Sequence, residues 1–78
     1  MEEIKLTFGE KACGVSFNPD NNLVVDSIKR QFAALVDSLH NHRLEAGMVG
    51  EKGRMLSIAI TDLQTAQMWA VKAVTWKH

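Results

Sequence analysis

The sequence predicts a mainly α-helical fold: an antiparallel two-helix hairpin, preceded by a short N-terminal β-hairpin, that assembles as a homo-oligomer. Three observations predict it. Apolar residues recur at spacings of three and four along two long stretches, separated by the glycine-rich GMVGEKG. That is the pattern of two helices joined by a tight link. Residues ahead of Pro19 alternate between apolar and polar instead, the period of strands. The second long stretch is apolar almost all the way round, which is more than one partner helix can cover.

The first element is the β-hairpin, over residues 1–17. Ile4, Leu6 and Phe8 point one way, with Lys5 and Thr7 the other. Gly9-Glu10-Lys11 suits a turn, and Val15 and Phe17 alternate again. A two-stranded hairpin is marginal alone in water, so this one must lie on the helices. Asn18 to Asn22, NPDNN, is a stop signal: Pro19 fixes its own φ and pushes Asn18 out of the helical region. Asp20 or Asn21 is then placed to cap the next helix. Helix one is expected over residues 20–46, with an apolar seam of Val25, Ile28, Phe32, Leu35 and Leu39, widened by Val36. Asp26, Lys29, Arg30 and Asp37 fall off that seam. Gly47 and Gly50 supply the left-handed geometry that ends a helix.

Helix two is expected over residues 51–76. Its small residues Ala59, Ala66, Ala70 and Ala73 would let other helices approach closely, and its apolar girth calls for further copies of the chain. The whole is a single domain of 78 residues. A domain below about 70–80 residues usually needs a staple, a metal or a partner. With Cys13 as the one cysteine, no internal disulfide is possible, and a partner is what remains.

Composition narrows the function. Nine basic and nine acidic side chains cancel, which argues against general DNA binding but leaves room for a small anion held by local cations. MEEIKLTF lacks the basic start and apolar core of a signal peptide, and no run of 18 uncharged apolar residues occurs. A cytoplasmic protein with no membrane contact is expected. His40 and His42 stand two apart on a helix, so they diverge and suit a solvated helix end better than one metal ion. No Walker spacing and no nucleophile–base pairing is visible, so neither catalytic residues nor a metal or other cofactor are expected.

One polar strip interrupts helix two. Projected at 100° per residue, Arg54, Thr61, Thr65 and Lys72 fall within about 40° of one another, flanked by Ser57, Asp62 and Gln64. Arginine offers a planar fork of donors to phosphate, threonine a hydroxyl, lysine a point charge. A merely solvated face is the plainer alternative. Threonine, however, lowers helix propensity and is a poor choice for an exposed face. Lys29 joins from helix one on the same kind of projection. Trp69 and Trp76 are either interface packing or stacking surfaces for a base. Phe17 beside Asn18 is either a hydrophobic staple onto helix one or an aromatic-plus-amide pair for a base.

VSFNPDNNLVVDSIKRQFAALVDSL and RMLSIAITDLQTAQMWAVKAVTW together resemble the small phage proteins that sequester immune signalling nucleotides, the anti-CBASS and anti-Thoeris sponges with a shared helical-hairpin domain. The resemblance covers about Ser16 to Trp76. It implies a non-enzymatic trap for cyclic dinucleotides, cyclic trinucleotides or a cyclic ADP-ribose isomer, starving a host effector in the host cytoplasm. It also implies dimers of hairpins that trimerise into hexamers. Carried over residue by residue, it makes Arg54 and Thr61 phosphate ligands, and Phe17 and Asn18 base ligands. An N-terminal β-hairpin resembles the anti-Thoeris branch more than the purely helical branch. The rival readings are an oligomeric helical module that regulates a host protein and, behind it, a small hydrolase.

Overall fold

A computed structural model describes residues 5–77. Three helices follow in order: α1 over Phe8–Ala12, α2 over Leu23–Glu45 and α3 over Gly50–Val74. The mainly helical class and the helical hairpin hold: α2 runs out, a short link turns, and α3 returns against it.

The β-hairpin expected over residues 1–17 is corrected. No strand occurs among the described residues, and the sequence from Phe8 is a short helix. Residues 1–4 lie outside the described residues. The physical reason is a capping box. The Thr7 hydroxyl accepts from the Glu10 N–H, and the Glu10 carboxylate accepts from the Thr7 N–H at 2.9 Å. Two such bonds close a helical turn where the alternation alone suggested a β-turn. With the strands gone, the ground for favouring the anti-Thoeris branch is gone too.

The cap of α2 is also corrected. Neither Asp20 nor Asn21 caps it; Asn22 does, its side-chain oxygen accepting from the N–H groups of Val24 and Val25. Asn21 instead takes a left-handed conformation, φ 49°, that asparagine tolerates. At the far end Gly47 and Gly50 both adopt positive φ, 79° and 77°, and turn the chain into α3.

The seam of α2 is rotated from the one expected. Val25, Lys29, Ala33 and Val36 are its buried residues, whereas Leu35 is exposed. Lys29, expected off the seam, is among the most buried side chains, at 6% exposure. The cause is the amino-terminal segment, which lies along α2 and takes up that side. Gly9 permits the approach: a Cβ there would sit 2.1 Å from the Ala33 carbonyl oxygen, inside any real contact. The Asp37 carboxylate fastens the same spot, accepting from the Thr7 hydroxyl at 2.7 Å and the Gly9 N–H at 2.6 Å.

The core is correspondingly thin. Cys13, Val15, Ala33, Val36 and Ile60 form its buried centre, with Leu6, Phe32, Leu39 and Leu63 packed around them. Burial pushes the Cys13 thiol above its ordinary pKa, with the nearby Asp37 charge adding to the effect, so the group is a neutral, small apolar filler. The molecule measures 43 × 39 × 12 Å. The last figure is about the diameter of one helix with its side chains, roughly 10–12 Å. The chain is a single layer.

A candidate nucleotide-binding surface

α3 meets α2 with one apolar stripe and leaves further large apolar side chains outside, among its charged residues. Its buried residues are Gly53, Ile60 and Gln67, at seven-residue intervals. Met55, Ile58, Met68, Trp69 and Val74 of α3 are exposed, as is Trp76 just past its end. So many large apolar side chains on the outside are more than an ordinary surface helix shows.

Two hollows among the described residues take up five of the seven candidate residues. The first, of about 280 Å³, lies where the loop before α2 meets the end of α3. Phe17, Asn18 and Lys29 line it, together with Pro19, Asp20, Asn22, Val25, Val71 and Thr75. Lys29 holds it open. Its ammonium donates to the Gly14 carbonyl at 3.0 Å and to the Phe17 carbonyl, and lies 5.5 Å from the centre of the Phe17 ring. A lysine with charge-assisted bonds to two carbonyls is satisfied despite its burial. The Phe17 ring, with the cation on one side, remains 73% exposed and offers a flat face. Asn18 is largely spent on the loop: its amide donates to the Asn22 carbonyl at 2.9 Å and accepts from the Asn22 N–H at 3.1 Å. Its first duty is therefore to shape the hollow. The reading of Phe17 as a staple packed on α2 does not fit its exposure.

The second hollow, on α3, is lined by Arg54, Ser57, Ile58, Thr61 and Asp62. Arg54 and Thr61, seven residues or about two turns apart on the strip, meet here. Arg54 is exposed and leans back on Glu51, with Nε and Nη2 bonded to the carboxylate. That bond pulls the Glu51 carboxyl below its ordinary value. The pair is solvent-screened, so an anion can displace Glu51 at little cost.

The rest of the expected strip does not join either hollow. The Thr65 hydroxyl donates to the Thr61 carbonyl at 3.2 Å, a local bond within the helix. Lys72 lies over two indoles, 5.2 Å from the centre of Trp69 and 6.0 Å from that of Trp76. An angular projection shows a shared face but hides axial distance. Arg54 and Lys72 are eighteen residues apart, or about 27 Å along a helix at 1.5 Å per residue.

Sequence reasoning passed over Asn22, Val71 and Thr75 in the first hollow, and Ile58 in the second. Asn22 was within reach as a cap residue; Val71 and Thr75 carry no local signal, since only the packing of α3 on α2 brings them there. His40 was also misjudged as solvated. It is half-buried and stacks on Phe8 with ring centres 4.1 Å apart. Among the described residues, no group of three metal-binding side chains comes together, and no helix is long and apolar enough to cross a membrane.

The family model described as the Acb2/Tad1 hairpin domain matches residues 11–75. The match takes in both hollows and both long helices. No curated protein and no solved structure matches the chain.

Proposed function

The chain belongs to the Acb2/Tad1 hairpin-domain family, and from that premise we propose that it binds cyclic nucleotide immune signals tightly and releases them unchanged, so that a phage escapes host defence. The ligand class is a cyclic dinucleotide, a cyclic trinucleotide or a cyclic ADP-ribose isomer. The protein is a trap with no turnover, acting in the host cytoplasm on free ligand. Phe17 stacks a base, Arg54 and Thr61 hold phosphate oxygens, and Asn18 and Lys29 shape the pocket under the base.

The observation that carries the reading is the flat build with the large apolar side chains that α3 leaves exposed. A domain needs two packed layers to bury an apolar face, and this chain supplies one, 12 Å thick. Exposed at 65% and 63%, Trp69 and Trp76 call for a second layer from other copies. We therefore take the working unit as a homo-oligomer: a dimer of hairpins, closing as a hexamer. Symmetry then duplicates each hollow and sets arginines from neighbouring chains around one ligand with several phosphates. Lys72, held between two tryptophans on the same outward face, belongs to that interface more naturally than to a phosphate site on its own chain.

A trap works by mass action, so its sites must outnumber the signal and bind below the effector's threshold. Sub-nanomolar binding corresponds to more than about 12 kcal/mol. Charge-assisted hydrogen bonds at about 1.5–3 kcal/mol each, with base stacking at about 1–3, approach that in a preorganised pocket.

The deciding experiment is native mass spectrometry and calorimetry with a panel of cyclic dinucleotides, cyclic trinucleotides and cyclic ADP-ribose isomers. At least one binds, and heat denaturation returns it intact. Arg54→Ala weakens phosphate-dependent binding by about tenfold or more, the scale of a lost charge-assisted bond, and leaves the assembly mass unchanged. Chemical change in the recovered ligand would identify an enzyme. Failure of every ligand, with assembly preserved, would favour the helical module that acts on a host protein.

A further inference from the structure

Three helices meet on one guanidinium at the link end of the hairpin. Arg43, half-buried in the last turn of α2, donates from Nη1 to Ser57 Oγ of α3 at 3.0 Å. Its Nη2 lies 2.9 Å from His40 Nδ1. Its Cζ stands 5.3 Å from the centre of the Phe8 ring of α1, the ring that also stacks on His40. A guanidinium has donors only, so His40 Nδ1 takes the acceptor role in this contact. The remaining nitrogen, Arg43 Nε, is buried with no hydrogen-bond partner among the described residues. An orphaned donor on a half-buried guanidinium costs stability. Fold stability alone therefore does not account for an arginine here.

Ser57 supplies the missing account. It lines the α3 hollow beside Arg54 and Thr61. A serine inside a helix commonly turns its hydroxyl proton back onto the carbonyl four residues earlier. Ser57 does not: Arg43 occupies a lone pair of its oxygen, and its proton is given to no other described residue.

We infer that Arg43 is a positioning residue for anion binding in the α3 hollow: by donating to Ser57 Oγ it leaves the Ser57 hydroxyl as a donor toward a phosphodiester oxygen, beside Arg54 and Thr61. His40 and Phe8 fix the guanidinium plane so that its Nη1 arm stays on Ser57. The same arrangement sets a half-buried positive charge behind the hollow, where solvent screens it less than Arg54. Asp62 on the rim repels phosphate, which orients the ligand with an amine or hydroxyl toward that carboxylate and its phosphate toward Ser57. This inference rests on the reading of the hollow as a nucleotide-binding surface.

A double-mutant cycle tests it. Cyclic tri-adenylate, cyclic di-adenylate and cyclic ADP-ribose are titrated into the full-length wild type by calorimetry, and the tightest binder is carried through. Arg43→Lys keeps the charge but cannot hold both His40 and Ser57 with one planar fork. It should weaken binding about tenfold, as should Ser57→Ala. The double variant should be no weaker than Ser57→Ala alone, since both changes break one chain of bonds. Ser57→Thr, which keeps the hydroxyl, should bind within about threefold of the wild type. Melting temperatures separate lost folding from lost affinity, and Ser57→Ala keeps the test decisive if Arg43→Lys unfolds. Wild-type affinity in Arg43→Lys or in Ser57→Ala, or losses that multiply in the double variant, would overturn the inference and leave the nucleotide reading standing. A wild type that binds none of the three probes would overturn both.

Discussion

The amino-terminal third of the chain and the carboxy-terminal half of α3 are stabilised in opposite ways. The first is short, irregular and tied down by directional polar bonds: Asp37 to Thr7 and Gly9, Lys29 to Gly14 and Phe17, Asn18 to Asn22. Every one of those clamps is satisfied inside one chain. The second is long, regular and apolar, yet Met68, Trp69, Val74 and Trp76 meet mostly solvent. The difference teaches which needs a single chain can meet. A hydrogen bond requires one partner at one angle, and a small domain can supply it. An apolar face requires a second surface of matching area, and a layer one helix thick has none to give. The clamped third shapes the Phe17 hollow; the naked half is where we place the neighbouring subunits.

The contrast can be broken most severely at Lys29. Lys29→Met keeps the length of the side chain but strands the carbonyls of Gly14 and Phe17, which are partly buried. Loss of two charge-assisted bonds should cost about 2–4 kcal/mol. Urea denaturation would read it, and a loss below about 1 kcal/mol would show that the loop holds without its clamp. Gly9→Ala strikes the same region sterically. Its new methyl would meet the Ala33 carbonyl at 2.1 Å, so α1 must lift from α2. About 1–3 kcal/mol is the usual cost of such overpacking, and faster proteolysis around residues 8–16 would locate it. The mildest change sharpens the other side of the comparison. Trp69→Gln should move the stability of a dilute single chain by no more than about 0.5 kcal/mol, as for other exposed sites. It should nevertheless lower the assembly mass measured by sedimentation. Unchanged mass would remove Trp69 from any interface between copies.

Some of this was legible without coordinates, and the misses have physical causes. The period of three and four in α2 and α3 reads directly, because it is a local repeat that survives any packing. So does the tight link at Gly47 and Gly50. The capping box at Thr7 and Glu10 was equally local, but the alternation of Leu6 and Phe8 with their neighbours competed with it. Over five residues a strand period and a helical turn cannot be told apart by apolar pattern alone. Lys29 and Asp37 were read as charges off the apolar seam, Lys29 also as a ligand; their clamping role exists only because a distant segment brings carbonyls and N–H groups to them. Arg54 and Thr61 were found as a pair because they lie close on one helix. Thr65 and Lys72 were grouped with them by angle alone, and the length of the helix separates them.

By itself the sequence determined that this chain is two long helices with a break between them, and that the second helix carries more apolar surface than one partner can cover. Both follow from backbone periodicity and side-chain chemistry along a single element. Only the tertiary structure decided which face of each helix is buried, and that Lys29, Arg43 and Asp37 serve as internal clamps. It also decided that the polar strip splits, with Arg54 and Thr61 in one hollow and Phe17, Asn18 and Lys29 in another. Those outcomes depend on where residues far apart in the chain come to rest, and hydrogen-bond partners at that range leave no periodic trace in the order of amino acids.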